Sequence, residues 1–579
     1  MGMRPGGNRR AAGSHRGSDH GIATGASYDS DVRIPQWRVL RKPVPLLGIL
    51  VVALLAVALA FRLWDSYVED GLGRWAVDEL ARQSDSTYRL SLGDLSLLPL
   101  AGSISFDSAR VVTDSARNRR RPEPLPALSA QTRECKVSGI DLVRLAFRRS
   151  FSARVLECGR VVAAITLTSS TGRDSAGAAD TSGIAGSVHQ LIRPLGISSF
   201  RIAEVSFPSL SLRLDRPGPR GGSSIVLEHA RFEAGDIVFD PRTATVDRAW
   251  LGAMGLVIRR DTMIEFSVAR LEADFTDSTL SLAGAEHEPA IPEAEWARRL
   301  RVRRDRVHFE LDSLHGRGVA YRAFLTRGDL GIRTLELRGG RLNVLSDRRI
   351  PKRPPHRHRT PQQVAAQARS ALRLDTVRIS GGTIIYRERK PETKRPGVVT
   401  FEQVRGTILD LSLPSRGEPL RIQASARLMG EGRLTARVSV PLDAPDFRYE
   451  LSGQLGRMSA TAFNRFLSVN EDFGFDGGRV EEIAFEQTVT GGRARTTVTP
   501  RYRDLSVDPT GDGGGIIGSV TRGAKEFLAQ ALKVRSSNPE DSDDGPRVAR
   551  TVRRYDPTDP WLRFVWFGLR EGLMEVVKE

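Results

Sequence analysis

The chain has 579 residues, 40% hydrophobic and 27% charged, an ordinary globular composition that excludes global disorder and leaves ample length for a large core. Its formal net charge of +18 invites a nucleic-acid reading, but 79 arginines against 8 lysines read more simply as a compositional bias. The densest basic runs, Arg117 to Pro124 and Arg348 to Arg359, contain proline and no interleaved aromatics, so they read as solvated loops and nucleic acid is not expected as a partner.

Residues 1–42 are rich in Gly, Ser and Arg and poor in large apolar residues, the composition of a disordered tail. From Pro43 to Phe61 run 19 residues without a charge, which at 1.5 Å per residue reach roughly 28 Å, enough for one helix to cross a bilayer. Arg33, Arg38, Arg41 and Lys42 precede this run, whereas Asp65, Glu69 and Asp70 follow it. The positive-inside rule then places the tail in the cytoplasm and everything beyond 43–63 across the membrane. A cleaved signal peptide is the competing reading, but both the charged tail and the apolar run are long for one. Helical spacing from Trp64 to Gln83 extends the anchor into a short stalk.

From Tyr88 the hydrophobic period changes from 3.6 to 2, and alternation recurs almost to the end of the chain, for example at Phe200 to Leu214, Leu335 to Leu345 and Val377 to Tyr386. So many strands with so few helices exclude a βαβ protein. One unit recurs at Val155 (VLECGRVVA), Val205 (VSFPSLSLRL), Leu335 (LELRGGRLNVL) and Val377 (VRISGGTIIY): two alternating stretches around a Gly or Pro breaker, read as a bulge or tight hairpin. The β-rich part divides at 346–370, a linker with a short helix, into regions 64–345 and 371–510. Other short helices are expected at Ser187 to Leu195 and Ser459 to Leu467, and 511–579 is expected to carry C-terminal helices, Ile516 to Val534 and the amphipathic Pro560 to Val577. That last helix docks on the chain's own sheet, on a partner or on a membrane surface.

Cys135 and Cys158 are the only cysteines, beyond the expected span, where a pair can oxidise and persist. Two free thiols and a disulfide are both open. The separation of 23 residues suits neighbouring strands, and a bond is the expectation. No motif brings catalytic groups together. Gly513, Gly515 and Gly518 satisfy GxGxxG but lack the preceding buried strand, and His356 with His358 sit among arginines without a third ligand. No catalytic, cofactor or metal residue is therefore assigned, and an enzyme is not expected.

The anchor followed by YRLSLGDLSLLPLAGSISFDSARVV from Tyr88, LRLDTVRISGGTIIYRE from Leu372, LSGQLGRMSATAFNRFL from Leu451 and the ending from Leu528 together resemble the AsmA-like family of diderm bacterial envelope proteins, which includes the TamB-type members. Gly252 to Arg306 stands apart as an insertion-like segment. The resemblance implies a mainly β fold: an N-terminal transmembrane helix, then an elongated, twisted antiparallel β-sheet groove with an apolar concave face, and amphipathic C-terminal helices. It further implies an inner-membrane protein with its bulk in the periplasm, carrying phospholipid between the inner and outer membranes, with other envelope proteins meeting the C-terminal helices. An assembly factor for outer-membrane proteins, receiving strands at its sheet edges, is the alternative. Strands with a single dry face need either a second sheet or a ligand to cover it. On that argument Leu210, Leu212, Leu214, Leu342, Val344, Ile384 and Tyr386 are expected to face a lipid-holding groove, in one sheet of about 25 strands and on the order of 120 Å long.

Overall fold

The computed structural model describes residues 71–577 except 72, 75, 99–101, 123, 142–149, 168–198, 219–221, 240–243, 261–263, 353–356, 369–370, 472, 509–534 and 542–543. The expected tail, the span at 43–63, the helices at 187–195 and 516–534 and the GxGxxG glycines lie outside these residues. Among the described residues no helix is long and apolar enough to cross a membrane.

The polypeptide enters through a helix, α1 (71–83), whose end is tied down by Ser84: its Oγ donates to the Leu80 carbonyl at 2.6 Å and accepts from the Tyr88 amide. Strands β1 (Tyr88–Leu92) and β2 (Leu95–Leu98) both pair with β3 (Ser103–Thr113); after α2 (Ser115–Arg120) come β4 (Ala127–Ser138) and β5 (Ser150–Thr166). Next follow β6 (Ser199–Arg216), β7 (Ser223–Phe239), the short β8 (Ala244–Thr245), β9 (Arg248–Arg260), β10 (Ile264–Asp274) and β11 (Thr279–Pro289). Helix α3 (Glu293–Arg299) leads to β12 (Arg306–Val319), and α4 (Tyr321–Arg327) to β13 (Leu330–Asp347). Helix α5 (Pro361–Ala366), capped at Thr360 by a reciprocal side-chain and backbone box with Gln363, lies in the crossover to β14 (Leu372–Arg389) and β15 (Gly397–Leu413). The array continues with β16 (Leu420–Leu428), β17 (Gly432–Val440), β18 (Tyr449–Leu455) and β19 (Met458–Ser459). After α6 (Asn464–Asn470) it ends with β20 (Gly474–Thr490), β21 (Arg493–Asp508), β22 (Ala549–Arg554) and α7 (Trp561–Val577).

These 22 strands form one open, mixed sheet whose ladder follows the order of the strands in sequence. Three short strands share a ladder position with another strand (β1 with β2, β8 with β9, β18 with β19). The sheet therefore has nineteen positions and, at roughly 4.8 Å per step, a ladder of about 86 Å, shorter than the expected 120 Å. The expectation of a wholly antiparallel sheet is corrected at two places, where β5 pairs with β6 and β13 with β14 in parallel. Those four strands are the four recurring units of the sequence. They are not hairpins: each runs straight through its Gly or Pro as a single strand of 17 or 18 residues. The ladder is continuous across 346–370, and the segment taken for an insertion supplies β9, β10 and β11 within the sheet.

The breakers mark a seam. Left-handed residues interrupt successive strands at mid-length: Glu134, His229, Gly255, Gly284, Gly339, Gly381 and Gln403, with φ between 46° and 81°. The register skips at the same level on the intervening strands, at Gly159, Ala269 and Asp312. Each irregularity adds a residue, so alternation slips by one, and on β12 Phe309, Leu311, Leu314 and Gly316 all lie on one face. A bulge bends its strand and sharpens the local twist, and a row of them in register creases the sheet from β4 to β15 along one line. Gly339 is favoured there, because its φ is +54° and a Cβ would collide with the Asp312 carboxylate unless that side chain moved.

Candidate functional site

Residues directly opposite in a ladder point to the same face, so the pairings assemble the dry face row by row. Beside the crease runs Leu212, Leu227, Leu256, Val268, Ala285 and Leu311. One row outward lie Leu214, Ile225, Ile258, Phe266, His287, Phe309, Leu342, Ile384 and Phe401, and beyond them Val307, Val344, Tyr386 and Val399. Across the crease the apolar rows resume, as in Phe232, Leu251, Ala273, Leu280, Leu335, Val377, Ile408, Ile422, Val438 and Leu451.

Val268, Ala285 and Leu311 are 1%, 3% and 6% exposed, whereas Ile225 in the next row is 39% exposed. No second sheet is present among the described residues, and the buried residues pack against side chains of the neighbouring strands. All seven expected groove residues lie on the dry face, and all are half-buried. Leu210 and Leu212 pack in the cluster around Leu227 and Ala253, Leu342 is paired with Ile384, and Val344 with Tyr386. The Tyr386 hydroxyl reaches the strand ends and donates to Glu388 at 2.9 Å; burial, with the Glu388 charge added, pushes its pKa well up. Cys135 and Cys158 are bonded to each other, directly opposite on β4 and β5 beside the crease, and their Cα atoms are 4.0 Å apart.

The C-terminal end of the dry face is covered. Phe564, Gly568, Gly572 and Val576 form the buried stripe of α7, four residues apart, and the helix lies on β20, β21 and β22. Beneath it Tyr449 donates to Gln487 Oε1, and Gln487 Nε2 to Thr496 Oγ1 at 2.8 Å, a chain sealed where the glycines let the backbone approach. Of the three dockings open for this helix, the chain's own sheet takes one face, while Leu562 and Trp566 on the other face are exposed.

The wet face carries one cluster that sequence reading missed. Glu286, His308 and Glu310 place potential ligand atoms within 4.8 Å of one another, and His308 Nε2 lies 3.1 Å from Glu288 Oε2. Such a set could hold a divalent cation. It is scattered over two strands, so no spacing rule could find it. Of the histidines considered earlier, His356 lies outside the described residues and the His358 amide donates to the Pro557 carbonyl. Neither a protein-family model nor a curated protein matches the chain.

Proposed function

We propose that this is an AsmA-like protein, anchored in the bacterial inner membrane with its bulk in the periplasm, that carries phospholipid along the dry face of its creased sheet. The observation that carries the reading is an apolar face about ten strands wide with no second layer over it among the described residues, since exposed apolar patches of that extent mark binding surfaces. Acyl chains gain about 0.8 kcal/mol per buried CH₂, so a continuous apolar wall holds a lipid tail without a dedicated polar contact. The alternative, strand capture at a sheet edge, has less to work with at the C-terminal edge. There the part of β21 that β22 leaves uncovered is bonded by Asn538 and Ser536.

The test is lipid co-purified with the full chain from membranes. Leu212→Asp puts a charge beside the crease on a half-buried position, so the protein is expected to fold while its bound phospholipid falls several-fold. Unchanged lipid in a folded variant would remove the reading.

A further inference from the structure

The strand ends divide by charge. At one rim the segments 298–306, 347–352 and 387–395 meet, because β12 starts where β13 and β14 end. Arg303 donates from its amide to the Pro351 carbonyl at 2.8 Å, and the Arg348 amide to the Arg389 carbonyl at 2.9 Å. Together these segments hold fourteen basic and four acidic residues. The segments 274–279, 317–331, 371–375, 413–420 and 440–449 at the opposite rim hold six basic and seven acidic. A bias toward arginine alone would load both rims alike.

Ion pairs consume only part of this charge. Glu293 takes Arg387 and Arg389, Glu388 takes Arg348, and Asp347 takes Arg349, whereas Arg301, Arg304, Lys394 and Arg395 are exposed. The basic rim begins one to three residues, or roughly 3–10 Å at ~3.3 Å per residue, beyond the apolar positions Val344 and Tyr386. Apolar wall and cationic edge thus follow each other at the distance that separates an acyl chain from its phosphate. Aromatic platforms for nucleic-acid bases are absent from the three segments, which contain no Phe, Tyr, Trp or His.

We infer that this basic rim binds the phosphate-bearing headgroups of anionic phospholipids whose chains lie along Leu342, Val344, Ile384 and Tyr386. The inference rests on the proposed lipid-carrying function and adds a substrate class to it. The full chain would be loaded from phosphatidylglycerol vesicles and, separately, from phosphatidylcholine vesicles, and the bound lipid counted by mass spectrometry. Wild type should load the anionic lipid at least about fivefold better at low salt, the worth of one cation near an anionic surface, and lose that preference at high salt. The variant Arg301→Gln, Arg304→Gln, Lys394→Gln, Arg395→Gln should lose the preference while loading phosphatidylcholine as before. Arg322→Gln, Arg327→Gln at the opposite rim should keep it. Equal preference in wild type and the fourfold variant overturns the rim assignment and leaves the groove standing. No loading of either lipid overturns the groove and the rim together. Tight binding of a DNA duplex in place of lipid, lost in the fourfold variant, would assign the rim to nucleic acid and overturn it too.

Discussion

Gly568→Ala on α7 sets two effects of opposite sign against each other. In an exposed helix interior the change stabilises by about 1 kcal/mol, because alanine has the higher helix propensity. At Gly568 the added Cβ would run into the Gln487 amide and approach the Thr496 hydroxyl, both buried in the chain that starts at Tyr449. Overpacking costs about 1–3 kcal/mol and a buried polar group left without a partner another 1–3 kcal/mol, so the clash outweighs the propensity gain by about 1–5 kcal/mol. Hydrogen exchange of peptides from 561–577 reads this directly, since each 1.4 kcal/mol of lost local stability speeds exchange about tenfold. Gly73→Ala in α1, where nothing lies within 4 Å of the new Cβ, should slow exchange instead. Slower exchange in Gly568→Ala would refute the close docking of α7.

Gly339→Ala should destabilise by about 1–2 kcal/mol from its left-handed backbone, plus the collision with Asp312; in an Asp312→Ala background only the backbone cost should remain, which a double-mutant cycle by chemical denaturation would separate. Replacing Cys135 and Cys158 by serine removes a cross-link spanning 23 residues and should cost about 3 kcal/mol on a chain-entropy estimate, seen as a lower midpoint in non-reducing denaturation. Burial pushes the Asp347 carboxyl up, but the hydrogen bonds and charge of Arg349 outweigh it and hold its pKa below the usual carboxylate range. A depressed carboxylate stabilises above its unfolded value near ~3.9 and loses that contribution as the pH falls through the lower folded value. Protection of 347–351 should therefore drop only in strongly acidic buffer, and in Asp347→Asn already at neutral pH.

Much of the strand content was legible because alternation is local, and Cys135 and Cys158 were legible as partners because their spacing fits one hairpin. Parallel pairing was not, since nothing within Val155 to Ile165 or Val205 to Leu214 encodes which neighbour each strand takes. The crease was written in the sequence as a slip of parity, with Val205 and Phe207 odd but Leu210, Leu212 and Leu214 even. The Gly or Pro breaker at the slip left a bulge and a tight hairpin both open, and the register shift within one continuous strand decides for the bulge. The basic rim escaped for the opposite reason: its three segments are some forty residues apart, and only strands of 14 to 18 residues returning to the same edge bring them together.

The central claim, that the dry face holds lipid, is tested most directly by a photoreactive amino acid placed at Ile384 and, in a second protein, at Ile385. These neighbours point to opposite faces of β14 and are both half-buried, so packing alone does not distinguish them. The account predicts that, after illumination in intact membranes, position 384 carries covalently attached phospholipid and position 385 does not. Equal lipid labelling at both, or attachment at 384 to protein alone, would contradict it.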